Sequence, residues 1–360
     1  MKNINKPLKA DRQQNNQDWF SLQLLEWYNL NKRDLPWRET KDPFKVWLSE
    51  IILQQTRVNQ GLPYYINFTN SYQTINDFAS APLDEILKLW QGLGYYSRAR
   101  NMHACAQTIV ETYNNKFPKD YTELLKLKGI GKYTAAAIAS ICYEEAVPTI
   151  DGNVFRVMSR LFGIEDDIAK ASSFKIFFDR AKTLIPKSDP GNFNQAVMEF
   201  GATVCTPKSP QCSECMFVNH CFAKQHDLID RLPVKSKNIK IKHRYFNYHV
   251  YTFESQVLIR QRAVGDIWAG LFEFDLEETE KSLKSRNFED AKWLDTSVKL
   301  VHQLTHQKLH IQFHVYEFDS KQALERMNKE LLMTKVSIAD LSNYAVPKPI
   351  ELFLNNEFCQ

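Results

Sequence analysis

The chain has 360 residues, is 44% hydrophobic and 24% charged, and carries a net charge of +4 at neutral pH, which is the composition of a globular protein with room for two cores. That balance excludes a disordered chain, and no stretch approaches the roughly 20 apolar residues needed to span a bilayer. The opening "MKNINKPLKADRQQNNQDWF" has no apolar run of signal-peptide type, so a cytoplasmic protein with no membrane partner is expected.

Residues 1–17 are polar and read as a frayed, disordered tail. From Trp19 to about Cys221 the apolar residues recur at three- and four-residue intervals, as in "WFSLQLLEWYNL", "FKVWLSEIILQQT" and "FNQAVMEFGATVC", which predicts an all-α domain over 18–224. Within it, Glu50 shares a helical face with Val46, Trp47, Leu53 and Gln54. A carboxylate on so apolar a face is costly unless paired, and desolvation raises its pKa toward the range of a general acid at neutral pH. Further on, "LKLKGIGKYTAAAIA" places the turn Gly129-Ile130-Gly131 between two helical segments, the second starting near Lys132. This is a helix-hairpin-helix, whose turn and following helix offer backbone N–H groups to a phosphate oxygen. No strand precedes it and no third glycine completes G-x-G-x-x-G, which excludes a dinucleotide fold. Asp151 in "VPTIDGNVFRVMSR" stands where a helix begins and makes a good N-cap.

Four cysteines then crowd into "CTPKSPQCSECMFVNHC", residues 205–221, with the spacing C-x6-C-x2-C-x5-C. Two disulfides, a structural zinc and an iron–sulfur cluster can all use four sulfurs at short range, and a reducing compartment makes disulfides the weakest of the three. Cys105 and Cys142 sit in apolar helical surroundings and read as core, and Cys359 lies far from all the others. Lys235, Lys237, Lys240, Lys242 and Arg244 mark a basic linker over 225–244. Beyond it, "FNYHVYTFESQVLIRQR", "LFEFDLEE" and "HIQFHVYEF" alternate like half-buried strands, and "YAVPKPIELFLNN" closes with a turn and short helix, so 245–360 is expected to be an α+β domain.

A hairpin, an Asp at a helix start about twenty residues later and then the four-cysteine loop together resemble the endonuclease III superfamily of helix-hairpin-helix DNA glycosylases. "LPWR", "SEIILQQT", "WQGLGYYSRARN", "IDGNVFRV" and "FNQAVMEFGATVC" resemble its A/G-specific, MutY-type adenine glycosylase branch, over about residues 20–355. The resemblance implies a mainly α helix-hairpin-helix glycosylase domain with a [4Fe-4S] loop, followed by a Nudix-like domain. It implies Cys205, Cys212, Cys215 and Cys221 as cluster ligands, with Lys208 of that loop available to a phosphate. Glu50 and Asp151 become the catalytic carboxylates, with Tyr133 and Asn153 as their polar partners. Arg38 and Gln195 line an adenine pocket, Gln54 and Tyr95 are the wedges, and Gly129, Gly131 and Lys132 contact the DNA backbone. Members that cut the backbone carry a lysine where this chain has Tyr133, and Lys132 is one residue away, turned about 100° around the helix, so a monofunctional hydrolase is implied in place of an endonuclease III-like lyase. A silent mismatch sensor would have no need of Glu50. The second domain lacks the R-E-x-x-E-E run of a magnesium-dependent Nudix hydrolase, which suggests recognition of an oxidised nucleotide without hydrolysis, and the resemblance implies that it reads 8-oxoguanine opposite the adenine. In "HQLTHQKLHI" the recognising pair is Thr305 and His306, with Leu304 where an aromatic is common. The implied partner is double-stranded DNA carrying A:8-oxoguanine or A:G mispairs, and the implied state is a monomer.

Overall fold

The structure, a computed structural model, describes residues 9–236, 240–280, 286–294 and 299–357. Lys237 and Cys359 lie outside the described residues. Among the described residues twelve α-helices precede the first strand: α1 Lys9–Asn31, α2 Pro43–Ile52, α3 Val58–Ser71, α4 Ile75–Ser80, α5 Leu83–Leu89, α6 Ser97–Tyr113, α7 Tyr121–Leu124, α8 Lys132–Tyr143, α9 Gly152–Phe162, α10 Ser173–Lys182, α11 Pro190–Thr203 and α12 Phe222–Gln225. α1 starts at Lys9, so 9–17 are helical where a disordered tail was expected, and 1–8 lie outside the described residues. A Pro- and Gly-free polar segment extends a helix already begun by the apolar face from Trp19.

The chain forms two compact units, Met1–Ala79 with Ala104–Lys237, and Ser80–His103 with Asn238–Gln360. In the first, α8 runs through the centre. Ala135, Ala136, Ala137 and Ala139 are almost wholly buried, and their small side chains let α2, α7 and α11 approach closely. The approach of α11 to α9 is tighter still: a Cβ on Gly201 would stand 2.6 Å from that of Asn153, so only glycine fits there. Buried Asn194 on α11 accepts a hydrogen bond from Thr149 N (3.0 Å) and donates to Val147 O and Ser140 Oγ (both 2.9 Å), fixing the extended segment that leads into Asp151.

In the second unit, Ser80–His103 groups with the sheet through bonds such as Lys88 Nζ to Tyr344 O (3.2 Å), Gln261 Nε2 to Asp84 Oδ1 (2.9 Å) and Arg100 Nη1 to Ala269 O (2.5 Å). The strands are β1 Lys242–Phe253, β2 Gln256–Gln261, β3 Phe272–Glu273, β4 Asp275–Thr279, β5 Ala291–Leu294, β6 Lys299–Gln303, β7 Gln307–Phe318 and β8 Thr334–Ser337, with α13 Lys321–Leu331 and α14 Lys348–Glu357. The order β3-β2-β1-β7-β5 centres on a parallel β1–β7 pair running from Lys242↔Gln307 to Thr252↔Glu317, and β4, β6 and β8 join β1, β7 and β2. Phe246, Tyr248, Val250, Phe313 and Val315 form the core under α14, with Phe313 stacked 4.1 Å from Phe353. The linker read over 225–244 therefore ends too late. Lys242 opens β1, and Arg244 is buried by bidentate pairing with Asp266 (2.7 and 2.8 Å) and Glu278 (2.5 and 2.7 Å), so its charge serves the fold.

Candidate active site

A cleft of about 560 Å³ in the first unit gathers residues from five stretches of chain, among them Arg38, Glu50, Gln54, Tyr133, Asp151, Asn153 and Gln195. α2 carries Glu50 in its last turn, one helical turn beyond buried Val46 and Trp47, so the side chain leaves the core at the cleft floor. Tyr133, in the first turn of α8, donates its hydroxyl to Glu50 Oε2 at 2.6 Å and also lies 3.1 Å from Met198 Sδ. Asp151 caps α9, accepting from Val154 N at Oδ1 and from Asn153 Nδ2 at Oδ2, both at 2.8 Å. Asn153 is in turn held through Oδ1 by Arg156 Nη2 (2.8 Å).

The two carboxyl groups are electrostatically different. Burial pushes Glu50 up from 4.5 to about 7; the bond from Tyr133 opposes this, the charge of Asp151 adds to it and Arg38 subtracts. Burial raises Asp151 as well, but the N–H of Val154, the Asn153 amide and the Arg156 charge all pull it back. The cap moderates the rise without reversing it, so desolvation is the larger influence on Asp151. Glu50 holds its proton toward neutrality chiefly because it is desolvated, with the charge of Asp151 adding to the effect.

Other expected residues divide between the cleft and its surroundings. Gln54 lies beyond the end of α2, so it does not share the helical face of Glu50; it is half-buried and its Nε2 reaches Thr134 Oγ1 at 3.4 Å. Its neighbour Gln55, which periodicity did not single out, is exposed at the cleft with φ +57°. Gly129 takes φ +81°, Gly131 caps α8, and exposed Lys132 sets its ammonium 4.5 Å above the Phe174 ring, outside the cleft that Tyr133 lines. In the second unit, Thr305 and His306 form the exposed turn between β6 and β7, closed by Leu304 N to Gln307 O at 2.8 Å, and the Tyr95 hydroxyl hydrogen-bonds that of Thr305.

Sequence reasoning missed Arg33 and Glu199. Glu199 is 1% exposed on α11, one turn after Gln195. It accepts from Arg33 Nε (2.7 Å), Arg33 Nη2 (2.6 Å), Arg33 N (3.1 Å) and Arg38 Nη2 (2.6 Å). Burial alone would raise its pKa, but the two guanidinium groups hold it at about 2. The available signal was a single Glu in the otherwise apolar run "AVMEFGA".

Cys205, Cys212, Cys215 and Cys221 form no disulfide and line one apolar cavity between α9, α11 and α12. Burial pushes Cys215 up to about 11, opposed by the Phe217 N–H and reinforced by the other three cysteines; Cys221 is raised by burial against the N–H groups of Lys224 and Ala223. Arg160 Nη1 lies 3.5 Å from Cys205 Sγ. Backbone and guanidinium donors aimed at sulfur fit thiolates, while the apolar walls would keep unligated thiols neutral. This donor set suits a cationic metal group. Among the described residues no three His, Cys, Asp or Glu side chains are gathered to hold a single ion.

Residues 48–179 match the family model described as HhH-GPD superfamily base excision DNA repair protein, and residues 247–356 match the NUDIX domain model. The adenine DNA glycosylase of Buchnera aphidicola subsp. Schizaphis graminum is 35% identical over 297 residues, 81% of this chain and 86% of that protein. The adenine DNA glycosylase of Homo sapiens is 42% identical over 215 residues, 57% of this chain and 39% of that protein. Among solved structures, a thermostable thymine-DNA glycosylase superposes with a TM-score of 0.55 at 28% identity, covering 61% of this chain and 100% of that one.

Proposed function

The chain belongs to the adenine DNA glycosylases, MutY-type helix-hairpin-helix enzymes that hydrolyse N-glycosyl bonds in double-stranded DNA during base excision repair, and from that premise we propose that it removes adenine mispaired with 8-oxoguanine or guanine. The observation that carries the proposal is Glu50, bonded by Tyr133 and raised to about 7, in one cleft with the capped carboxylate Asp151.

Adenine must leave the stack to reach this cleft, at a cost of a few kcal/mol. Gln54 and Tyr95 remain the wedges proposed to hold the gap, with Gln55 added by its exposure. Arg38 and Gln195 line the base pocket. Glu50, protonated near neutrality, delivers its proton to N7 of adenine, the electron pair of the C1′–N9 bond departs with the base, and an oxocarbenium-like sugar forms opposite Asp151. Water adds to C1′ and returns a proton to the Glu50 carboxylate, giving free adenine and an abasic site. Tyr133 holds Glu50, and Asn153 holds Asp151. With Tyr133 at the position of the lyase lysine, no Schiff base forms.

The four cysteines are proposed to hold a [4Fe-4S] cluster, which when bound ties the loop structurally. A zinc ion needs its sulfurs around one centre at about 2.3 Å, whereas a cluster spreads four thiolates over a larger body. The hairpin residues Gly129, Gly131 and Lys132 take the DNA backbone, and Thr305 with His306 reads 8-oxoguanine. The enzyme acts as a cytoplasmic monomer. Incubation with duplexes holding A opposite 8-oxoguanine, A opposite G, or an oxidised pyrimidine, followed by alkali, tests the proposal. Strand cleavage confined to the adenine duplexes and dependent on alkali is expected; cleavage of the pyrimidine duplex without alkali would assign a lyase.

A further inference from the structure

The proposed mechanism uses Arg38 as pocket lining and leaves unexplained why a second arginine and a buried glutamate converge on it. We propose that Glu199 is a positioning residue for adenine excision: its carboxylate clamps Arg33 and Arg38 into the wall of the base cleft and, by offsetting part of their charge, shields the acid Glu50 from their positive field. The inference rests on the reading of Glu50 as the general acid.

The geometry is over-determined. Glu199 receives four hydrogen bonds from the two arginines, and Arg38 Nη1 donates in addition to Arg33 O at 2.9 Å. The Arg38 guanidinium also lies 5.5 Å from the Tyr28 ring centre, which leaves it little freedom. The ionisable side chains lining the cleft besides Glu50 are Arg33, Arg38, Tyr133, Asp151 and Glu199. Cys142, on the same helix as Tyr133, also interacts electrostatically with Glu50. Glu199, held ionised by the two guanidinium groups, offsets one of their two positive charges in the cleft. Removing Glu199 leaves a net positive cleft. That field favours the Glu50 carboxylate, in the same direction in which Arg38 already acts on it.

The test is the pH profile of single-turnover excision from a duplex with A opposite 8-oxoguanine, whose alkaline limb reports loss of the proton on the acid. Glu199→Gln is expected to move that limb down by roughly one pH unit or more, the size of effect produced by a nearby charge. Glu199→Asp, which keeps the charge, should leave it near the wild-type position. Arg33→Gln removes one cation while Glu199 keeps Arg38, so it should move the limb upward; it carries the test if the glutamate variants fail to fold, as judged by circular dichroism and melting. A uniform loss of rate at every pH, with the limb unmoved in folded Glu199→Gln or Arg33→Gln, overturns the proposal and leaves Glu199 a purely structural clamp. A wild-type protein that excises no adenine would instead overturn the reading on which it rests.

Discussion

Replacing Glu50 by Gln should impair catalysis and stabilise the helical unit at the same time, and both effects follow from one desolvated carboxyl group. A group at 4.5 when exposed and about 7 in the fold binds its proton more tightly folded than unfolded. Its contribution to folding is intact below pH 4.5 and is lost as pH rises through 7, because the unfolded chain ionises first. At about 1.4 kcal/mol per pH unit, ionising it at pH 8 costs the folded state about 3 kcal/mol. Gln keeps the shape and an acceptor for Tyr133 without that cost, so the variant should gain about 2–3 kcal/mol at pH 8, or about 5–10 °C in melting, and almost nothing at pH 4.5. Excision should fall on the order of 10²-fold or more, since Gln has no proton to give. Calorimetric melting at the two pH values, with single-turnover excision alongside, measures both. A melting difference that is the same at pH 4.5 and pH 8 would refute the argument, because an unperturbed or permanently charged Glu50 predicts no growth with pH.

Asp151→Asn should melt close to wild type, because Asn caps a helix nearly as well as Asp, while excision falls severely; a variant with normal excision would leave Asp151 only its capping role. Protein purified without oxygen should be brown and hold roughly four irons per chain, and Cys212→Ser should lose iron and DNA affinity more than intrinsic rate. Stoichiometric zinc in that preparation would sink the cluster assignment. Thr305→Ala with His306→Ala should narrow the preference for A opposite 8-oxoguanine over A opposite G by roughly 1–3 kcal/mol, as for removed hydrogen bonds, and an unchanged rate ratio would assign the discrimination elsewhere.

Local signals in the sequence were read well where one physical cause dominates. Apolar periodicity located most of the helices, the Gly129 turn located the start of α8, and Asp151 followed by Gly152 located the cap of α9. Alternation located β1 and β7, yet their parallel pairing across more than 50 residues left no mark on either strand, since register is set by the partner. Gln54 was misplaced because three- and four-residue spacing assumes that the helix continues, and α2 stops at Ile52. Arg244 looked like part of a solvated linker because its partners, Asp266 and Glu278, lie more than 20 residues away.

The catalytic cleft shows the same limit more sharply. Glu50 was conspicuous because an acid on an apolar helix face is anomalous in isolation. Glu199 is just as anomalous on α11, but its meaning depends on Arg33 and Arg38, which are more than 160 positions away. The two glutamates line the same cleft, Glu50 half-buried and Glu199 buried, and their pKa values part widely, about 7 for one and about 2 for the other. Burial pushes both upward, so burial cannot separate them; the partners do. Glu50 meets a neutral phenol and a neighbouring carboxylate, whereas Glu199 meets two guanidinium groups. Segregating the cations onto one glutamate leaves the other free to keep its proton, and a single helix carrying both Gln195 and Glu199 on one face sets that segregation in the wall of the cleft.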